Sequence, residues 1–189
     1  VLFRSDALGE QGHTVRTVPD GLEALQALQG ERFDAVILDL VMPRLSGARA
    51  CRQIKAQPAG RDLPVLILSG LREDEIDDAD QIGADAYVAK MQAEAMISHL
   101  TAALGELLAG DLRAKRRGFD RMHRREVVSE LLAERRSRDA ILSSLSEGYL
   151  RVSGEGLVVE ANPAAQAMLS RDESRLVGQA LESVLGCDR

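Results

Sequence analysis

Three side chains able to take part in group transfer sit at matching places in the sequence. Asp39 stops the apolar run of "FDAVILDL", Ser69 closes "LPVLILSG" and Lys90 closes "ADAYVAK". Val36, Ile37 and Leu38 are the β-branched and aliphatic residues of a strand buried on both faces, and Pro43 with Gly47 mark a loop after it. In an open parallel sheet the carboxyl ends of the strands share one rim, where ligands and chemistry collect. A carboxylate, a hydroxyl and an ammonium on that rim favour a nucleophile, with a cation and a hydrogen-bond donor to hold an anionic group. Taken singly, each residue has a plainer alternative. Asp39 or Ser69 could cap the helix that follows, and Lys90 could be a surface lysine with a buried stem.

The elements that must position these residues alternate between strand and helix. "HTVRTV" predicts a strand at Thr14 to Val18, and "GLEALQALQG" a helix with Leu22, Leu25 and Leu28 on one face and Gly30 as its stop. After the strand ending in Asp39 come the helix "ARACRQIKA", the strand ending in Ser69, an acidic helix from about Asp74, the strand ending in Lys90 and a helix from about Ala93. Strict alternation of this kind implies a parallel sheet with helical crossovers.

Composition narrows the function. Aromatic residues make up 3% of the chain and tryptophan is absent, which argues against stacking platforms for nucleic acid and against an all-β sandwich. A net charge of -6 argues against generic polyanion binding. Cys51 and Cys187 lie far apart without CxxC spacing and read as free thiols of a reducing compartment. No apolar run reaches membrane-spanning length and no signal peptide is evident, so the chain is expected to be cytoplasmic.

Two further regions follow the alternating one. Residues 110–138 form a basic segment, with ten Lys or Arg against five Asp or Glu between Asp111 and Arg138. Leu112, Phe119, Met122, Val128 and Leu131 fall near heptad spacing, so a long connecting helix that pairs with its twin through residues 108–145 as a coiled coil is one reading; a solvated basic helix is the other. Nothing there resembles a helix-turn-helix, so nucleic acid is not the expected partner. Residues 139–189 read as a short helix, "AILSSLSEG", then two strands around a glycine-containing turn, "YLRVSGEGLVVEAN", then a helix "PAAQAMLS" with Pro163 in its first turn. Gly154 and Gly156 lie in a hairpin, with no third glycine opening a helix, and so do not form a phosphate cradle.

Residues 6–109 resemble the receiver domain of two-component response regulators. "DLVMPRLSG" matches that family's loop after its phosphoacceptor aspartate, "LSG" and "DAYVAK" match the positions of its hydroxyl and its lysine, and Tyr87 matches its switch aromatic. The resemblance implies a flavodoxin-like α/β fold in which Asp39 attacks phosphohistidine on a histidine kinase or phosphotransfer protein. It implies further that Mg²⁺ offsets charge on the phosphoryl oxygens with Asp39 as a ligand, that Lys90 and Ser69 hold the product, and that Tyr87 follows Ser69 inward on phosphorylation. Phosphoryl transfer depends on positioning and charge neutralisation more than on covalent assistance, which suits such a rim. Two departures stand out. Met91 replaces the family's usual proline after the lysine, and the first strand, with the acidic pair that holds Mg²⁺, has no counterpart, so the sheet is expected to lack its first strand.

The opening "VLFRS", residues 1–5, would be encoded by GTG CTC TTC CGA TCT, the end of a common sequencing adapter, and is therefore expected to be a non-native start. Residues 139–189 resemble the first half of a PAS domain, an α+β module in which Asn162 would help fix the turn into the first helix; no heme or flavin ligand is assigned. His13, His99 and His123 lack partners at metal spacing, and the residues after His123 do not match a histidine-kinase phosphodonor box. The leading expectation is a non-enzymatic phosphorelay protein, its receiver signalling through a helix to the PAS module. Alternatives are the N-terminal part of a hybrid sensor histidine kinase or of a cyclic-dinucleotide enzyme, and an interaction module that never carries phosphate.

Overall fold

The run "VLILS" is apolar at four consecutive positions before its serine, the pattern of a strand with helices on both faces, and it lies wholly buried in the sheet. The computed structural model describes residues 2–70, 82–110, 115–117 and 138–186. It divides into two units, residues 1–125 and residues 126–189.

In the first unit helix α1 (Leu2–Gly9) is followed by α2 (Gly21–Gly30), β1 (Val36–Asp39), α3 (Gly47–Ala56), β2 (Val65–Ser69), β3 (Ala86–Ala89), α4 (Ala93–Leu108) and β4 (Lys115–Arg117). The four strands pair in the order β1-β2-β3-β4, all parallel, with Asp39 opposite Leu68 and Ser69 opposite Ala89. Met96, Leu100, Ala103, Leu104 and Leu107 recur at helical spacing and form the buried stripe of α4. That stripe packs with Leu8, Leu66, Leu68, Ala86 and Val88 into one core. Each large aliphatic side chain so buried contributes about 1.5–3 kcal/mol. Elsewhere α2 packs on α3 and α3 on β1, burying Leu22, Leu25, Ala50 and Ile54. At the amino ends of the strands Asp85 Oδ2 accepts from Val65 N at 2.7 Å and from Lys55 Nζ at 2.7 Å, which fixes the register of β2 against β3.

Two expectations are corrected. Residues 13–18 form no strand, and Val15 is 40% exposed. In the flavodoxin-like order a strand there pairs only with the first strand; no described strand lies beside it, and extended chain without a neighbour forms no ladder. Consistently, β1 is half-buried where β2 and β3 are fully buried, as befits an edge. The second correction concerns Lys115–Arg117, expected within a connecting helix but found as a strand parallel to β3. Gly110, at φ 84, turns the chain after α4, which has already carried it back along the sheet, so the next extended residues can add an edge. The remainder of the connecting segment, residues 111–114 and 118–137, lies outside the described residues, as does the acidic helix expected from about Asp74. The proposed dimer seam therefore rests almost wholly on residues that are not described.

The second unit opens with α5 (residues 138–144), followed by the antiparallel pair β5 (Leu150–Val152) and β6 (Val158–Ala161), then α6 (Pro163–Leu169), α7 (Glu173–Leu176) and α8 (Leu181–Leu185). The hairpin turns through Gly156 at φ 79, and Pro163 takes the first helical position of α6. Val158, Ala161, Ala165, Leu176 and Val184 form the core of this unit. Asn162 is its polar centre. Its Oδ1 accepts from Tyr149 N at 2.8 Å and Ala165 N at 2.9 Å, and its Nδ2 donates to Leu142 O at 3.1 Å and Glu147 O at 2.8 Å.

Candidate phosphoacceptor site

Two backbone bonds carry the parallel ladders one residue past the strands: Leu40 N donates to Leu68 O at 3.0 Å, and Lys90 N donates to Ser69 O at 2.6 Å. Asp39, Ser69 and Lys90 are thereby held at one rim of the sheet. Because β1 and β3 are separated by β2, their axes lie about 10 Å apart, and only a long side chain can cross. Lys90 does so, its Nζ donating to Asp39 Oδ2. The other carboxylate oxygen, Oδ1, accepts from Val41 N at 3.0 Å. Asp39 and Lys90 are 22% and 23% exposed, so the pair is sheltered yet reachable from solvent. Ser69, at the end of β2, is buried, and so is Tyr87 in β3. Both have interaction partners of their own.

These contacts decide between the alternative roles of two residues. Asp39 does not cap α3, whose N-cap position is Ser46, without a side-chain bond. Lys90 is no ordinary surface lysine, because its ammonium is committed to Asp39. For Ser69 the question of a cap stays with residues 71–81, which lie outside the described residues.

The loop from Leu40 to Ser46 is tightly placed. Gly47 N donates to Leu40 O at 3.2 Å, and a Cβ at Gly47 would overlap the Asp39 carbonyl. Gly21 N donates to Leu45 O at 3.3 Å. Three residues that the sequence reading did not select complete the surroundings. Asp20, 2% exposed, caps α2 by accepting from Leu22 N at 2.9 Å and Glu23 N at 3.2 Å. Arg44 pairs with both Asp20 and Glu23. The spacing Asp20-x-x-Glu23 is a capping-box signature and could have revealed Asp20. Arg44 carries no local signal, since its partners lie more than twenty residues away in sequence.

A divalent ion needs several oxygen ligands, and Mg²⁺ near-octahedral ones. Among the described residues no group of three or more His, Cys, Asp or Glu could hold a metal, and both Asp39 oxygens already accept hydrogen bonds. By themselves the described acidic side chains therefore do not complete a Mg²⁺ site. The other nucleophile of this unit, Cys51, is fully buried. Burial pushes its thiol up to about 12, which keeps it protonated and inert.

Comparison with known proteins agrees with this geometry. Residues 4–101 match the family model of the response regulator receiver domain. The chain is 31% identical over 190 residues to the response regulator MprA of Mycobacterium bovis (strain BCG / Pasteur 1173P2), covering 96% of this chain and 73% of that protein. Among solved structures, the signal receiver domain of a signal transduction histidine kinase from Syntrophus aciditrophicus is similar at 30% identity and a TM-score of 0.52, over 59% of this chain and 83% of that one. The chemotaxis response regulator CheY4 of Vibrio cholerae is similar at 26% identity and a TM-score of 0.51, over 55% and 87%.

Proposed function

Since the chain belongs to the response regulator receiver domain family, we propose that it serves phosphorelay signalling with Asp39 as the phosphoacceptor. The observation that carries this reading is the half-sheltered Asp39 carboxylate, one oxygen on the Val41 N–H and the other on the Lys90 ammonium. The phosphodonor is the phosphohistidine of a histidine kinase or phosphotransfer protein. Oδ2 of Asp39 forms the bond to phosphorus as the nitrogen–phosphorus bond breaks; the imidazole nitrogen keeps the electron pair and takes up a proton. Lys90 then turns from the carboxylate oxygen to the phosphoryl oxygens, a charge-assisted contact stronger than a neutral one. The Ser69 hydroxyl is the second donor, and the change at Ser69 moves the buried Tyr87. By family resemblance Mg²⁺ belongs to such a site; its ligands beyond Asp39 are not among the described residues.

The chain acts without chemistry of its own beyond this acceptance. The helix, hairpin and Asn162-capped helix of residues 138–169 support reading residues 139–189 as the first half of a PAS module that receives the signal. Among the described residues no helix is long and apolar enough to cross a membrane, and the location we propose is the cytoplasm. A second reading, a hybrid sensor kinase, draws on the likeness to a histidine kinase's receiver; autophosphorylation of the complete gene product with ATP separates the two.

The test uses a chain given the first strand and acidic pair of a receiver relative ahead of Asp6. Incubated with acetyl phosphate and Mg²⁺, it gains the mass of one phosphoryl group, and Asp39→Asn gains none. Equal incorporation by the Asn variant removes Asp39 from the role.

A further inference from the structure

Arg44 lies between Asp39 and α3 with φ 51, a left-handed backbone that crowds the Cβ of any residue other than glycine. A non-glycine residue is uncommon in that conformation, and here the side chain is anchored at two carboxylates. Its Nε donates to Asp20 Oδ2 and an Nη donates to Glu23 Oε1 at 2.6 Å. Asp20 is itself fixed, buried and spent on the α2 cap through its other oxygen. The guanidinium therefore grips a rigid anchor, and the rest of the loop is registered to the same anchor. Gly21 N bonds Leu45 O at 3.3 Å, and a Cβ on Gly21 would stand 2.7 Å from that oxygen. At the loop's other end Val41 N holds Asp39 Oδ1 at 3.0 Å. Only Met42 and Pro43 separate the anchored Arg44 from Val41, whose N–H holds the reacting carboxylate.

We propose that Arg44 is a positioning residue for phosphoryl transfer at Asp39. By clamping the loop to the capped end of α2 it keeps the Val41 N–H on Oδ1, which fixes the carboxylate rotamer and presents Oδ2 to phosphorus. The inference rests on the reading of Asp39 as phosphoacceptor. It concerns geometry before reaction, so its effect falls on the chemical step and not on capture of the donor.

Two variants separate the clamp from the backbone. Arg44→Gly removes the guanidinium and relieves the left-handed strain; Arg44→Lys keeps a cation on the strained backbone. With acetyl phosphate and the strand-restored chain, Oδ2–P forms as the P–O bond to acetate breaks and acetate leaves with the electron pair. The maximal rate falls about tenfold in Arg44→Gly with the half-saturating donor concentration unchanged, and Arg44→Lys recovers part of the loss. In residues 1–189, amide exchange across residues 41–46, referenced to β2, quickens in Arg44→Gly and less so in Arg44→Lys. A glycine variant that reacts at the parent's rate overturns the clamp, as does unchanged exchange in that loop. Absence of phosphate on the parent overturns the Asp39 reading instead, and the exchange arm then decides the clamp alone.

Discussion

Replacing Asn162 tests whether one buried amide organises the second unit. Asn162→Ala deletes four hydrogen bonds, to Tyr149 N, Ala165 N, Leu142 O and Glu147 O. At a net value near 1 kcal/mol each the ceiling is about 4 kcal/mol. Glu147 is exposed and Leu142 half-exposed, so their carbonyls can turn to water, whereas Ala165 is buried; the expected loss is therefore about 3 kcal/mol. A unit of this size has a stability of roughly 3 to 10 kcal/mol, so the variant forfeits a large part of it. Asn162→Asp sharpens the test, because it keeps the acceptor at Oδ1 but sets a second acceptor against two carbonyls. That repulsion raises the introduced carboxylate's folded-state pKa above its unfolded value, so the variant's stability relative to the parent rises as pH falls and the carboxyl regains a proton to donate. Amide exchange read by mass spectrometry serves as the assay, with β6 in the second unit as reporter and β2 in the first as internal control. Exchange at Val158 to Ala161 should quicken by about a hundredfold in the alanine variant while β2 is unchanged, the factor that ~3 kcal/mol commands. A loss below about 1 kcal/mol would refute the view that these bonds are cooperative and buried.

Three further outcomes are expected. Gly47→Ala forces a methyl onto the Asp39 carbonyl and should lower stability by about 1–3 kcal/mol in urea unfolding, with slower phosphorylation, since overpacking displaces the loop. Cys51 binds its proton more tightly folded than unfolded, so its contribution to stability is complete below about pH 8.5 and is lost as pH rises towards about 12; Cys51→Ala should flatten that part of the pH–stability curve, and native protein should resist thiol reagents until unfolded. Giving the chain a first strand should add several backbone hydrogen bonds against β1 and residues 14–18 at about 1 kcal/mol each, raising the urea midpoint and slowing exchange in β1.

How much of this was legible depends on the range of each signal. Asp39, Ser69 and Lys90 were placed from sequence because a strand's end is local information, and parallel pairing then brings the three ends to one rim. Asn162 was singled out through the resemblance to a PAS domain, and its four hydrogen bonds lie where the turn into α6 begins. The failures are non-local. Thr14 to Val18 has the alternation of a strand, but a strand exists only with a neighbour. Lys115 to Arg117 reads as helix by composition, whereas its conformation is set by the edge of β3 beside it. The pairing of Arg44 with Asp20 and Glu23 depends on how α2 approaches the loop, and no pattern within either segment encodes it.

The central claim is that Asp39 carries phosphate as an acyl phosphate. The most direct measurement is hydroxylamine treatment of the strand-restored chain after incubation with acetyl phosphate and Mg²⁺, followed by peptide fragmentation across residues 33–47. An acyl phosphate at Asp39 is converted to the hydroxamate there, and the account predicts that modification at Asp39 and at no other carboxylate, absent without the phosphodonor. Hydroxamate at a different aspartate or glutamate, or phosphate that survives hydroxylamine, would contradict it.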